Sequence, residues 1–383
     1  MIVRLIALLT AVIVLGGLSG CTARPSRDVL APVSPAPRYT AKVDILVATT
    51  RGITVPGNPA TLANTLSPTI NYAGLTLSIP KSHKAGEIEY PGPGAPDTAL
   101  QMAVTEQDAL DRTSFLQSIQ RSVAAGGPEA GSVLVFTHGY NTKYEEAVYR
   151  FAQIVHDSGF TGTAVLFAWP SRGNTALYLA DRDASTYSRD YFEATLRDIA
   201  SVRGVKEISI LAHSMGNWLT VETLRQAKLK GRPDFNGKLG DVILASPDID
   251  NDVFRTQLDV IGKLKRPMTV FVSGDDSALQ ASALLAGGQQ RAGQVTAADL
   301  RSSDTAKRYN LRIIDLSGVA SGEAGNHSKF AQAGVVRAIG KNLAADSAGA
   351  QNQPGVIKAV QDVGKTLINL PGTILGVPVL LIQ

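Results

Sequence analysis

Cysteine is almost absent from this chain. Its 383 residues include a single cysteine, Cys21, so an internal disulfide is excluded. The five histidines show no ligand spacing with one another or with that cysteine. The sequence therefore predicts a fold held by its apolar core, with no metal and no organic cofactor.

Charge is also scarce. Charged residues make up 18% of the chain and the net charge is only +4. Lysine and arginine are spread along the sequence, without a basic cluster interleaved with aromatic residues, so we expect no nucleic-acid partner. The hydrophobic content of 44% allows a sizeable core, and the length suits one large α/β domain or two small ones.

The first 20 residues have the pattern of a bacterial secretion signal. Arg4 precedes an apolar run, and positions 18–21 read LSGC, which resembles a lipobox. We predict a signal peptide over 1–20 and lipidation of Cys21. The protein would then be anchored in the cell envelope, on the periplasmic side of the outer membrane in a Gram-negative organism. The alternative is an uncleaved membrane anchor, because the apolar run is near the lower limit for spanning a bilayer.

Composition divides the rest of the chain. Residues 21–38 are rich in proline, serine and alanine, which is typical of an extended, poorly ordered lipoprotein tether. We predict the folded domain over 39–344. Residues 345–383 read as a linker and an apolar C-terminal tail that prolines interrupt, so the tail is too short to span a membrane. It would dock on the domain, cover a cleft or touch the membrane.

Short apolar runs alternate with helical patterns across the predicted domain. This alternation predicts an α/β fold with a doubly wound, mostly parallel sheet and helices on both faces. Residues 53–130 would form either a cap or an added edge of that sheet. Strands are predicted at Val43–Thr49, Leu75–Ile79, Val133–Thr137, Ala164–Ala168, Ile208–Leu211, Val242–Ala245, Met268–Val272 and Arg312–Leu316, and helices at Ala109–Val123, Tyr144–Ser158 and Ser188–Ser201.

The sequence from Lys206 to Lys230 contains the central motif. An apolar run leads into AHSMG at 212–216, and a segment of helical period follows. Strand, tight turn with a central serine, and helix are the context of a nucleophile elbow, which predicts Ser214 as a catalytic nucleophile. Ala212 replaces the first glycine of the motif, while Gly216 is present.

A serine nucleophile needs a histidine as general base. His327 is the only histidine after Ser214, and it lies in a glycine-rich stretch that follows the last predicted strand. We predict it as the base. The remaining histidines have structural interpretations: His83 as a solvated loop residue, His156 at a helix C-terminus and His213 packed behind the elbow.

The acid that orients His327 is expected at a strand end. Asp276 and Asp275 follow the predicted strand Met268–Val272, and we favour Asp276. Adjacent side chains at a strand end point in opposite directions, so only one of the two should face the histidine. Three other aspartates stay open as alternatives: Asp248, Asp250 and Asp315.

A developing oxyanion requires preorganised N–H donors. We predict the backbone N–H groups of Met215, directly after the nucleophile, and of Tyr140, after Gly139. Three further side chains are candidates for lining the substrate site: His138, Trp169 and Arg172.

Several motifs together resemble the bacterial α/β-hydrolases of unknown function, which are often described as predicted esterase- or lipase-like proteins. They are HGYN at 138–141, FAWPSRG at 167–173, LAHSMGN at 211–217, LASPDID at 244–250 and SGDDSAL at 273–279. The resemblance covers roughly residues 42–335. It implies a Ser-His-Asp hydrolase with Ser214 as nucleophile, and its S-x-x-D-x-A-L pattern places the acid at Asp276.

The combined prediction is a serine hydrolase that cleaves a carboxylic ester of a small molecule or a lipid through an acyl-serine. Two alternatives stay open. The chain would be a non-catalytic envelope protein that binds through a hydrolase fold, or an amidase or peptidase that uses the same triad.

Overall fold

The computed structural model describes residues 24–34, 40–92, 94–294, 304–321 and 325–347. The predicted signal peptide, Cys21 and the apolar tail beyond residue 347 lie outside the described residues. Among the helices of the described ranges, none has the length and apolar character needed to cross a bilayer.

Nine strands of the described residues form one sheet. They are β1 Thr40–Ile53, β2 Leu62–Pro80, β3 Ala103–Leu110, β4 Ser132–Thr137, β5 Thr163–Ala168, β6 Glu207–His213, β7 Leu239–Ala245, β8 Met268–Val272 and β9 Leu311–Asp315. Their spatial order is β3-β2-β1-β5-β4-β6-β7-β8-β9. In this spatial order, all neighbouring strands from β1 onwards to β9 pair in parallel. The two remaining pairs, β1–β2 and β2–β3, are antiparallel.

Helices of the described residues cover both faces of the sheet. They are α1 Arg112–Ala124, α2 Tyr144–Ser158, α3 Tyr178–Tyr187, α4 Arg189–Ser201, α5 Met215–Leu229, α6 Asn251–Ile261, α7 Ser277–Leu285, α8 Asp304–Tyr309 and α9 Ala333–Ser347. Side chains of β4 alternate between two cores: Leu134 and Phe136 pack with α2 and α9, and Val133 and Val135 pack with α1, α4, α5 and α6. The prediction of a doubly wound α/β sheet is confirmed.

Residues 53–130 extend the sheet instead of capping the site. Strand β2 pairs with β1 from Thr40↔Pro80 to Thr49↔Asn71, and β3 adds an outer edge. Strand β3 was not predicted because it lies at the edge of the sheet. Exposed polar residues alternate along it with less exposed ones, so it contains no continuous apolar run. Helix α1 begins after Asp111, whose carboxylate accepts the Ser114 N–H at 2.6 Å, so the predicted helix start at Ala109 was wrong.

The described part of the predicted tether, residues 24–34, packs on the domain. A short 3₁₀ helix, Arg27–Leu30, places Leu30 in the α2 core with no exposed surface. The Tyr149 hydroxyl also donates to the Val29 carbonyl at 2.7 Å. The prediction of a poorly ordered tether is wrong for these residues, because an apolar anchor lies within the proline-rich stretch.

The loop after β2 is likewise held against the domain. The His83 side chain is 3% exposed and lies between two carboxylates, Glu89 and Asp157, each at 2.8 Å. Burial opposes protonation of the imidazole, but the hydrogen bonds to Asp157 and Glu89 dominate and raise the pKa of His83 to about 9. The prediction of a solvated loop histidine was therefore wrong.

Candidate active site

Ser214 lies in a strained turn between β6 and α5. Its backbone has φ 52° and ψ −119°, in a region that non-glycine residues rarely adopt. The Ser214 N–H donates to the Ala245 carbonyl at 2.9 Å. Asn217 braces the turn, because its side-chain amide donates to the carbonyls of Ser214 at 3.0 Å and Ala245 at 2.7 Å. Asn217 directly follows the AHSMG motif, but its role was not predicted from the sequence.

Two glycines let neighbouring backbone approach the elbow. A Cβ at Gly216 would lie 2.5 Å from the His138 carbonyl oxygen, so the start of α5 contacts the end of β4. A Cβ at Gly139 would lie 2.8 Å from the Cβ of Ser214. The segment after β4 therefore runs directly alongside the serine, where only a residue without a side chain fits.

The two predicted oxyanion donors flank this contact. Met215 is the first residue of α5, so its N–H has no acceptor within the helix and lies at the positive end of the helix dipole. Tyr140 follows Gly139, and its hydroxyl donates to the Thr175 carbonyl. The tyrosine ring meets that of Tyr178 edge to face, with the centroids 5.2 Å apart.

His327 and Asp276 are hydrogen-bonded. The His327 Nδ1 donates to Asp276 Oδ2 at 2.8 Å. Asp276 is fully buried, and its other oxygen accepts the Leu279 N–H at 3.0 Å at the start of α7. This cap fixes the carboxylate. The bond at Nδ1 leaves the Nε2 of His327 as the nitrogen that can accept a proton.

Asp275 points the other way and clamps the segment that carries His327. Both of its oxygens lie 2.7 Å from the Lys329 ammonium, which also donates to the Ser317 carbonyl at 3.0 Å. Burial opposes ionisation, yet the bonds from Lys329 and Ser273 lower the pKa of the Asp275 carboxyl. Lys329 was missed because nothing in the local sequence indicates that this lysine, two residues after His327, is buried.

His213 contacts His327 from the side of the elbow. The His213 Nε2 donates to the His327 carbonyl at 3.2 Å, and the two ring centroids are 4.6 Å apart. Burial and the neighbouring His327 hold the pKa of His213 well below its usual value. A neutral His213 supports the His327 segment without adding a charge there.

The alternative acids have other partners. Asp250 caps α6 by accepting the Val253 N–H at 3.1 Å. Asp248 accepts the Tyr178 hydroxyl at 2.9 Å and faces Arg291. Asp315 accepts a backbone N–H at 2.9 Å in the turn after β9. Of these aspartates and Asp276, the structure brings Asp276 to His327.

Two of the three candidate lining residues are buried behind the β4 loop. His138 and Trp169 are 2% and 0% exposed, their rings stack at 4.9 Å, and the indole N–H donates to the His138 carbonyl at 2.8 Å. The prediction that they line the substrate site was wrong, because their rings pack against each other inside the fold. Burial, with a contribution from the Arg51 charge, lowers the pKa of His138 to about 3.

Arg172 is directed towards β2. Its guanidinium donates to the Asn64 carbonyl at 2.6 Å, and its backbone N–H donates to Asp181 at 2.6 Å. Fully buried Asp181 also accepts the Asn141 N–H at 3.1 Å and the Ser171 hydroxyl at 2.6 Å. Asp181 thus joins the loops that follow β4 and β5, a role that no local pattern indicated.

Comparison with known proteins gives one family match. The profile of a family described as "Alpha/beta hydrolase of unknown function (DUF900)" matches residues 113–344, which is more than half of the chain. No curated protein matches the chain significantly.

Two solved structures are similar at low identity. Lipase B of Aspergillus fumigatus has a TM-score of 0.34 and 13% identity, over 63% of this chain and 63% of the lipase. The chain thus spans slightly less than two thirds of that lipase. A structure titled "AbyA5 Wildtype" has a TM-score of 0.37 and 12% identity, over 86% of this chain and 73% of the other.

Proposed function

The chain belongs to the alpha/beta hydrolases of unknown function, and from this premise we propose that it is a serine hydrolase that cleaves a carboxylic ester through an acyl-serine intermediate. One observation carries the proposal. Ser214 occupies a strained strand-to-helix turn, and the adjoining segment holds a histidine whose Nδ1 is bound to a buried carboxylate.

In the first half of the reaction, the Ser214 hydroxyl attacks the ester carbonyl carbon. His327 Nε2 takes the hydroxyl proton, and Asp276 stabilises the imidazolium through the bond at Nδ1. The negative charge that develops on the carbonyl oxygen is stabilised by the N–H groups of Met215 and Tyr140. Collapse of this intermediate expels the alcohol, which receives the proton from His327, and leaves the acyl group on Ser214.

In the second half, water enters the position of the alcohol. His327 removes a proton from the water, which attacks the acyl carbon. The same N–H groups stabilise the second oxyanion. Its collapse breaks the bond between the acyl carbon and Ser214 Oγ and releases the carboxylic acid, and Ser214 takes back its proton from His327. The positive end of α5 favours the anionic intermediates in both halves.

A fluorophosphonate probe tests the activated serine in the full chain. We expect wild type and Ser246→Ala to be labelled, and Ser214→Ala to be unlabelled. Ser246 is a matched control because it follows β7 as Ser214 follows β6, with a φ of 47°. A well-folded wild type that is not labelled would overturn the proposal, and so would labelling that persists in Ser214→Ala.

An ester and an amide that carry the same acyl group test which type of bond is cleaved. We expect turnover of the ester and much slower turnover of the amide, because an alcohol is the better leaving group. Equal or faster amide cleavage would place the chain with amidases or peptidases that use the same triad.

We also propose that a lipid on Cys21 holds the active-site face of the domain at a membrane surface of the cell envelope. Arg24 donates to Glu146 at 2.6 Å and to the Asn141 and Gly173 carbonyls at 2.7 and 3.0 Å. Asn141 and Gly173 follow β4 and β5, at the same sheet edge as Ser214. Three residues of chain span at most about 11 Å. Cys21 lies three residues before Arg24 in the sequence, so a lipid there would be tied to the segment that contacts this sheet edge.

Metabolic labelling with a palmitate analogue tests the anchor. We expect label and membrane association in wild type, and neither in Cys21→Ser. The variant should keep its fluorophosphonate labelling, since residue 21 precedes the docked segment 24–34. Membrane association that survives in Cys21→Ser without any acyl label would contradict the lipid anchor.

A further inference from the structure

The C-terminal end of α2 and the loop after β2 bring two histidines and an aspartate together. His83 Nε2 and His156 Nδ1 lie 2.8 and 3.0 Å from the same oxygen, Oδ1 of Asp157. The three ligand atoms lie within 4.8 Å of one another, and the two imidazole rings meet edge to face at 5.0 Å. His83 and Asp157 are 74 positions apart, so no local spacing in the sequence reveals the group.

We propose that His83, His156 and Asp157 form a binding site for a divalent transition metal ion of the zinc class. Two imidazole nitrogens and one carboxylate oxygen are a donor set that Zn²⁺ takes, with a fourth position left for water. Ligand atoms around a tetrahedral zinc are about 3.3 Å apart. On binding, the separations of 2.8 and 3.0 Å would widen by a few tenths of an ångström, and the two imidazole nitrogens, which lie within 4.8 Å of each other, would settle at about 3.3 Å.

The groups behind the three ligands already have the arrangement that a metal site needs. The second nitrogen of His83, Nδ1, is bound to Glu89 at 2.8 Å, which orients Nε2 towards Asp157. A carboxylate on the outer nitrogen is the usual support of a metal-bound histidine, because it fixes the ring and makes the inner nitrogen a stronger donor. Glu89 is itself fixed by the Lys84 N–H at 3.1 Å.

Asp157 is oriented in the same manner. Its Oδ2 accepts the Gly86 N–H at 2.7 Å and the Gln153 side-chain amide at 2.6 Å. These bonds leave Oδ1 to face the two imidazoles. The Asp157 and His83 side chains are 1% and 3% exposed, whereas that of His156 is 32% exposed. The site is therefore buried on the side of Asp157 and His83 and accessible to solvent on the side of His156.

The position of the site suggests a structural function. Gln153, which bonds Asp157, also donates to the Ala331 carbonyl at 3.3 Å, in the segment that follows His327. A bound ion would thus join the loop after β2 to α2. Through Gln153 it would also be connected to the segment that follows His327. It takes no part in the proposed ester chemistry, and this inference does not depend on the proposed function.

Zinc binding to the full chain, purified without a histidine tag and stripped with a chelator, tests the site. We expect one Zn²⁺ per chain in competition with a chromophoric chelator. His156→Asn should weaken binding at least tenfold, because it removes one of three ligands at a partly exposed position. Glu89→Gln should weaken it by about 10–100-fold through the outer bond to His83. Glu87→Gln, an exposed residue of the same loop, is the matched control and should bind as wild type does.

A thermal measurement supplies a second readout. At one fixed Zn²⁺ concentration the Tm of wild type and of Glu87→Gln should rise equally, and the Tm of His156→Asn should rise by less because its binding is weaker. Absence of binding in wild type would overturn the proposal and leave the cluster as an ion pair network. Zinc binding that is equally strong in His156→Asn and Glu89→Gln would also overturn it, because the ion would then bind elsewhere.

Discussion

Two histidines of this chain each donate to an aspartate at 2.8 Å, and they differ in what binds the second nitrogen. His327 contacts Asp276 through Nδ1 and has a 20% exposed side chain. His83 contacts Asp157 through Nε2 and Glu89 through Nδ1, and is 3% exposed. A general base needs one nitrogen free to accept a proton. The same histidine–aspartate pair therefore fits a base in one region and a cross-link or metal ligand in the other.

Replacing each aspartate by asparagine gives the largest expected contrast. Asp276→Asn should slow fluorophosphonate labelling of Ser214 by about 10³–10⁴-fold, because the amide no longer holds the His327 tautomer and no longer stabilises the imidazolium. Asp157→Asn should change the labelling rate by less than about tenfold, since its partners lie outside the proposed triad. Equal losses in two folded variants, checked by circular dichroism, would show that the two regions do not differ in function.

The ion pair of Asp275 and Lys329, called here the Asp275 clamp, gives the next contrast. It holds the segment that carries His327 in position and takes no part in the proposed reaction. Lys329→Met removes the cation that joins Asp275 to the Ser317 carbonyl, so the His327 segment should shift while the triad side chains remain. A displacement of about 1 Å can cost about 10²-fold in rate. We expect a loss of about 10–100-fold in kcat with a small change in KM, measured on the ester that the chain cleaves best.

Lys341→Met is the control for this clamp, because Lys341 is exposed on α9. It should keep the kcat of wild type. A Lys329→Met variant that is folded and fully active would mean that the clamp does not position His327.

His138 is a third histidine to compare with His327 and His83. Its two nitrogens contact the carbonyl oxygens of Gly139 and Trp169 and no carboxylate. Its pKa in the folded chain is lowered to about 3 by burial and by Arg51, below the usual value near 6.5. The unfolded chain therefore binds the proton first, and stability is lost as the pH falls below about 6.5. Between pH 7 and 5 this single group should lower the free energy of unfolding by about 2 kcal/mol.

Urea unfolding of wild type and His138→Asn at both pH values measures this contribution. The variant will be less stable at pH 7, but it should lose about 2 kcal/mol less than wild type on acidification. An unchanged difference between the two pH values would mean that His138 has the same pKa in the folded chain as in the unfolded chain.

Local patterns predicted the elements that meet at Ser214. Buried parallel strands are continuous apolar runs, so β4, β5 and β8 were located within a residue or so, and the polar motifs after them followed from the rule that parallel strands share one carboxyl edge. The alternation of side chains at a strand end predicted that only one of Asp275 and Asp276 faces His327, and the resemblance placed the acid at Asp276. The structure places the two carboxylates on different partners.

The parts that were missed depend on contacts between distant segments. Leu30 is one apolar residue in a proline-rich stretch, and only the α2 core explains why residues 24–34 are docked. His83 reads as a loop residue until Asp157 and Glu89 surround it. Lys329 and Asp181 are buried charges whose partners come from other loops. None of these has a period or a spacing that a single sequence reveals.

The smallest expected effect concerns the second carboxylate of the His83 cluster. Glu89→Ala removes the acceptor of His83 Nδ1 and of the Lys84 N–H, and the glutamate side chain is 19% exposed, so water replaces part of the lost interaction. In the presence of a chelator we expect the free energy of unfolding to fall by about 1 kcal/mol, with Glu87→Ala unchanged. The fluorophosphonate labelling rate should remain that of wild type in both variants. A labelling rate that falls in Glu89→Ala alone would mean that the His83 cluster and the active site are coupled through α2, and the contrast between the two histidines would then be one of degree.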